Sequence, residues 1–157
     1  MTRFLGIDLG ERRIGLATAE PGHEPVRPFV TIRRGRSAAA DIARLSTIVT
    51  EQRIDELVVG LPLEASGADG SMAAAAREWA AEIGTALGLL VTLHDERPTS
   101  HLAEERLGPM PRGRSGGPPT AAQRERYRAR VDREAAAIIL ADELDARAGS
   151  VEGSRPA

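Results

Sequence analysis

The sequence predicts an α/β protein with a mixed sheet and helices on both faces. Three observations lead there. Strand-like runs come first and in succession, then strands alternate with helical patterns. Hydrophobic residues make up 41% of 157 residues, enough for one packed core. Aromatics are only 3%, so that core must be built from Ala, Val, Ile and Leu. There are no cysteines, which excludes disulfides and thiolate metal sites and fits a reducing, cytoplasmic setting. The start of the chain does not read as a signal peptide, and no apolar run is long enough to span a bilayer.

Residues 3–9 (RFLGIDL) and 13–19 (RIGLATA) are short and apolar and are joined by Gly10-Glu11-Arg12, so they read as a hairpin. Residues 26–33 (VRPFVTIR) alternate and add a third strand, which Pro28 directs to an edge or a strand end. Ile42, Leu45, Ile48 and Val49 recur at helical spacing between Ser37 and Arg53. Residues 56–60 (ELVVG) form a fourth strand before the loop "LPLEASGADG". Ser71 is the expected cap of a helix that carries Trp79 and Ile83 and stops near Gly88. Residues 89–94 (LLVTLH) form a fifth strand ending in "DERPTS", and a short helix runs from Thr99 or Ser100 to Leu107. Eight of the 13 residues in "GPMPRGRSGGPPT" (108–120) are Gly or Pro, which predicts a flexible loop. Thr120 and Gln123 then form a capping box for a long helix to about Ala148. One domain is expected over 1–148, with a flexible tail over 149–157.

Acidic residues sit in odd places on this frame. Asp8 interrupts an apolar strand, where an unpaired buried charge costs several kcal/mol or more. Asp95 and Glu96 stand at the end of another strand, where α/β sheets present functional groups. Asp132 borders the packing face of the last helix, with Ala135, Ala136 and Ile139 following it. Each acid alone has an ordinary explanation as a turn residue, a solvated strand end or a surface charge. Together they converge if strand one is central and the last helix crosses it. Converging carboxylates repel unless cations neutralise them, and hard oxygen donors suit Mg²⁺ or Mn²⁺. A pair of such ions supports in-line phosphoryl displacement.

All 21 basic residues are Arg. Every positive contact is therefore a guanidinium that can grip a phosphate with two hydrogen bonds. Between Arg112 and Arg133 there are seven arginines and two acids, a local charge of +5. Arg112 and Arg114 in the loop, and Arg124 and Arg128 four apart on the helix, are expected to hold a polyanion. Tyr127 is the lone tyrosine, so no aromatic platform for stacking bases is expected.

"GIDLGERRIGLA", "VVGLPL", "DERPTS" and "VDREAAAIIL" resemble, in order and spacing, the signatures of the bacterial YqgF family, also called RuvX, the RuvC-like Holliday junction resolvases. The resemblance covers residues 3 to about 145. It implies a ribonuclease H-like fold with a five-stranded sheet, and a metal-dependent phosphodiesterase assigned to maturation of the 5′ end of pre-16S ribosomal RNA. It implies that Asp8, Glu96 and Asp132 are catalytic and hold the metals, and it selects Glu96 over Asp95. Arg97, Thr99 and Ser100 fall on motif positions that would place the phosphate. Arg12 and Arg13, within the first motif, join the expected nucleic-acid contacts. The chain departs from the usual pattern at Ala19-Glu20 and at Ser100, and neither change removes an expected metal ligand. The expected partner is nucleic acid, RNA before DNA, in the setting of the pre-ribosomal small subunit, with the protein a monomer or homodimer. A junction resolvase or structure-selective DNA nuclease, and a non-catalytic ribosome-associated nucleic-acid-binding protein, are the alternatives.

Overall fold

The structure, a computed structural model, describes residues 2–20, 25–62, 70–96 and 99–153. Five strands form one sheet: β1 (Phe4–Leu9), β2 (Arg13–Ala19), β3 (Arg27–Arg33), β4 (Glu56–Pro62) and β5 (Leu90–Glu96). Their order is β3-β2-β1-β4-β5. The β1–β2 and β2–β3 pairs are antiparallel, and β1–β4 and β4–β5 are parallel. The expected mixed five-stranded sheet is present, and β1 is its central strand. β3 is an edge, as Pro28 requires, and a register shift lies opposite it between Leu16 and Ala17.

Among the described residues, α1 (Ala38–Glu51), α2 (Ser71–Leu87) and α4 (Ala121–Gly153) cover the sheet, and α3 (Thr99–Leu107) lies on α4. Side chains alternate across each strand. Leu5, Ile7, Ile14, Leu16, Leu57 and Val59 pack with Leu45 of α1 and with Trp79 and Ile83 of α2. Phe4, Ala19 and Val58 face the other way, against Ile139 and Leu140 of α4. The apolar positions Ile42, Ile48 and Val49 are used in the first of these cores. α3 packs on α4 through Ala103, Tyr127, Val131 and Ala135.

Three local expectations change. α2 begins at Ser71 itself, and Gly70 takes the capping position. Segment 108–120, expected to be a flexible loop, is tied down by hydrogen bonds. Tyr127 donates its hydroxyl to the Gly108 carbonyl, Gln123 donates to Arg112 O, and a 3-10 turn forms over Arg114–Gly116. Its tether is the expected capping box: Gln123 N donates to Thr120 Oγ1 and Thr120 N to Gln123 Oε1. α4 runs to Gly153 rather than ending near Ala148, so helix occupies the first five residues of the expected tail. Residues 154–157 of that tail lie outside the described residues. Among the described residues, no helix is long and apolar enough to cross a membrane.

Candidate active site

Glycine decides how close α4 comes to the sheet. A Cβ on Gly6 would meet the Ala136 carbonyl and Leu140 at 2.8 Å. A Cβ on Gly15 would run into the backbone carbonyl of Asp132. Gly15 is the cross-strand partner of Asp8. The two strand positions share a sheet face, the one bearing α4, because Phe4 and Gly6 alternate onto that face ahead of Asp8. Asp132 is therefore laid over the residue beside Asp8. Asp8 is 8% exposed, so its carboxylate sits under the helix and not in bulk solvent.

The same parity separates the two acids at the end of β5. Thr92 and His94 reach α4: Thr92 Oγ1 accepts from Arg147 at 3.0 Å, and His94 Nδ1 lies 2.9 Å from Glu143 Oε2. Two residues further on, Glu96 occupies a strand position on the same face as these, in register with Pro62. Asp95 pairs with Leu61, whose cluster lies with Ala73 and Ala76 of α2. The fold thus puts the Glu96 position, not that of Asp95, on the face shared by Asp8 and Asp132. All three positions lie toward one end of the sheet, where β1, β4 and β5 finish.

Arg13 shapes the electrostatics. Its Nε donates to Asp132 Oδ2 at 2.6 Å, and its NH1 lies 3.5 Å from Glu125 Oε1. Burial pushes the Asp132 carboxyl above the usual carboxylate range. The hydrogen bond and charge of Arg13 pull it down only in part, and Glu125 adds repulsion. Arg13 is held above its own ordinary value chiefly by the bond to Asp132. Among the described residues, Arg13 offsets the burial of the Asp132 carboxylate only in part. The oxygen donors of Asp8 and Asp132 are of the kind that Mg²⁺ and Mn²⁺ accept. Among the described residues no group of three or more Asp, Glu, His or Cys side chains is placed to hold a metal ion, and the Glu96 side chain is not among those described.

The expected nucleic-acid contacts divide. Arg12 is exposed in the hairpin turn, whereas Arg13 is engaged with Asp132 and Glu125. Arg124 and Arg128 are exposed and lie eight and four residues before Asp132, forming a stripe that leads to it. Arg124 also donates to the Pro119 carbonyl at 2.7 Å. Arg112 and Arg114 are exposed on the ordered loop, and Arg112 donates to Gly116 O. Thr99 opens α3 but is only 4% exposed, which leaves little of it for a phosphate to touch, while Ser100 is exposed. Arg97 lies outside the described residues.

Sequence reasoning missed three parts of this region. One is the network that ties β5 to α4. Arg147 reaches Glu56 at 3.1 Å, Glu143 at 3.2 Å and Thr92, with its guanidinium 5.2 Å from the centroid of the Phe4 ring. Another is Thr31, whose hydroxyl donates to the Ala129 carbonyl and pins α4 to β3. The third is Asp41, 1% exposed, which accepts from Gly35 N at 2.7 Å and from the Trp79 indole at 3.3 Å. Its position in the first turn of α1 was the available signal.

The fold is the ribonuclease H-like fold of RuvC. The structures of Thermus thermophilus RuvC, free and with a Holliday junction substrate, superpose with TM-scores of 0.53 at 15% and 18% identity. In both cases 94% of this chain and 97% of RuvC are covered. The chain belongs to the RuvX family, described as Holliday junction resolvase, which matches residues 2–146. Relatives carrying the name "Putative pre-16S rRNA nuclease" include one from Anaeromyxobacter sp. strain Fw109-5, 42% identical over 92% of this chain and 98% of its own length. Another, from Synechococcus sp., is 38% identical over 90% of this chain and 87% of its own.

Proposed function

We propose that this protein is a divalent-metal-dependent nuclease that hydrolyses phosphodiester bonds of RNA in 5′-end maturation of pre-16S ribosomal RNA. The observation that carries the proposal is the seating of Asp132 over Gly15, beside the buried Asp8. Asp8, Asp132 and Glu96 would hold Mg²⁺ or Mn²⁺, as a pair of ions. Bound there, the metals supply an activated water and charge stabilisation for the leaving oxygen. The chain's own residues do the rest. β1 and β5 fix two of the acids on rigid strands. Gly15 lets the helix bring the third within reach. Arg13 orients the Asp132 carboxylate, and the Arg124–Arg128 stripe draws a polyanion toward it. The RuvX relatives' name supports RNA, and the family description supports a four-way DNA junction as the second substrate. The RNA reading places the protein in the cytoplasm, acting on the pre-ribosomal small subunit as a monomer or homodimer.

The test is to incubate the protein and Mg²⁺ or Mn²⁺ with three labelled substrates: an RNA carrying the 16S precursor leader, single-stranded DNA and a four-way junction. RNA cleavage that vanishes with Asp8→Asn is expected. Paired, symmetric cuts in the junction with the RNA left intact would replace this reading by a resolvase, which needs a two-fold dimer.

A further inference from the structure

Four arginines gather where the sheet ends beside the β1–β2 turn. Arg12 and Arg13 come from the turn and the start of β2, and Arg33 and Arg34 from the end of β3. With Glu11 and Glu125 they line an open concavity of about 350 Å³. Arg13 and Arg33 are cross-strand partners, so their guanidiniums start from adjacent positions on one face. Arg34 is held in place before any ligand arrives. Its NH1 donates to the Gly10 carbonyl at 3.2 Å, and its Nε lies 3.6 Å from the buried Asp41. Asp41 is itself fixed by Gly35 N and Trp79. A buried acid that anchors an arginine at a rim gives that arginine a defined orientation, which is what recognition of a planar or tetrahedral oxyanion requires.

Glu125 reveals what the concavity takes. Its Oε1 lies 3.5 Å from Arg13 NH1 and 3.9 Å from Arg33 NH2, between the two guanidiniums. Both distances are long for charge-assisted hydrogen bonds, which run nearer 2.7–2.9 Å. The carboxylate is 46% exposed, so leaving this position has little cost in burial. Glu125 is an internal anion resting between two arginines that hold it loosely. Arg13 and Arg34 are already paired with Asp132 and Asp41, so Arg12 and Arg33 carry the positive charge that the concavity sets against Glu11 and Glu125.

We infer that this concavity is a phosphate subsite for the polynucleotide backbone next to the cut, with Glu125 as the resident anion that a backbone phosphate displaces. The inference rests on the nuclease reading for its substrate but not for its test. Arg13 links the two sites, because its Nε edge grips Asp132 while its NH1 faces Glu125. A phosphate in the concavity lies one guanidinium away from the acid cluster. The subsite therefore sets where along the strand the scissile bond falls.

The test is equilibrium binding of a labelled single-stranded RNA by the full chain in EDTA, across a salt series, with Arg33→Ala, Arg12→Ala and Glu125→Gln. Arg33 is 80% exposed, so its loss leaves the fold intact. Each arginine variant is expected to weaken binding several-fold, evenly across sequences, and to lower the magnitude of the salt slope by about 0.7–1. Glu125→Gln is expected to tighten binding several-fold, a direction that a folding defect would not produce. Unchanged affinity and slope in the arginine variants, or weaker binding by Glu125→Gln, would overturn the inference. Saturable binding of inorganic phosphate or a mononucleotide that blocks RNA only at the wild-type concavity would overturn the backbone assignment in favour of a small phosphate ligand. If the wild type cuts no substrate while these shifts appear, the nuclease reading fails and the subsite stands. If it cuts and the variants bind as wild type, the subsite fails alone.

Discussion

Arg13 and Asp132 contribute to stability with opposite signs. Burial raises the folded-state pKa of Asp132, with Arg13 recovering part of the cost. For an acid raised on folding, the unfolded chain releases its proton first, so stability falls as pH climbs from the unfolded value through the folded one. Above its folded-state value and without metal, the ionised Asp132 is therefore a net cost. Asp132→Asn is expected to leave the metal-free melting temperature equal to wild type or higher. Arg13→Met is expected to lower stability by about 1–3 kcal/mol, since it leaves a part-buried carboxylate without its donor. Thermal denaturation in EDTA at neutral pH checks both, and a melting point lowered by Asp132→Asn would contradict the assignment of cost. The sequence made Asp8 and Asp132 conspicuous because each interrupts an apolar pattern. It could not reveal that Arg13 is spoken for, because that ion pair joins residues 119 apart along the chain.

The helix α4 is the element that brings Asp132 over the strand residue beside Asp8. It packs diagonally, meeting β3 and β2 near Ala129 and Asp132 and reaching β5 at Glu143 and Arg147. Gly15→Ala is expected to force the helix outward from Asp8, because the new methyl falls on backbone that cannot rotate away. The expected result is destabilisation of about 1–3 kcal/mol and loss of cleavage larger than the stability change explains. Urea denaturation and cleavage rates measured on the same samples separate the two effects. At the far end, Arg147→Ala removes two ion pairs, the Thr92 hydrogen bond and the stacking on Phe4. Because Arg147 is 36% exposed, the expected cost is modest, about 1–2 kcal/mol by the same measurement. The helix itself was legible from its capping box and its run of Ala and Ile. Its extension to Gly153 was not, because Gly149 and Gly153 read as breakers in isolation.

Across the whole molecule, the sheet order follows from patterning that the chain displays openly. A hairpin, an edge strand marked by proline, and two apolar runs separated by helices leave few ways to build a mixed sheet. The contacts that fasten residues 108–120 were the least legible part of the fold. Glycine and proline content signals the absence of helix and strand, but it carries no information about Tyr127 and Gln123, which fasten the loop from the next element. The acid constellation was legible as a set of suspicious positions. The proposed choice of Glu96 over Asp95 rests on the family resemblance, and the strand parity of the two positions is in agreement with it.

That agreement is what to test first. Cleavage of a labelled 16S precursor RNA would be followed in Mn²⁺ and in Mg²⁺ with wild type, Asp8→Asn, Asp132→Asn, Glu96→Gln and Asp95→Asn, each checked for native melting. The first three variants are expected to lose cleavage by about a hundredfold or more, while Asp95→Asn cuts at close to the wild-type rate. Full activity in Glu96→Gln together with loss in Asp95→Asn would contradict the site as built on the α4 face of the sheet.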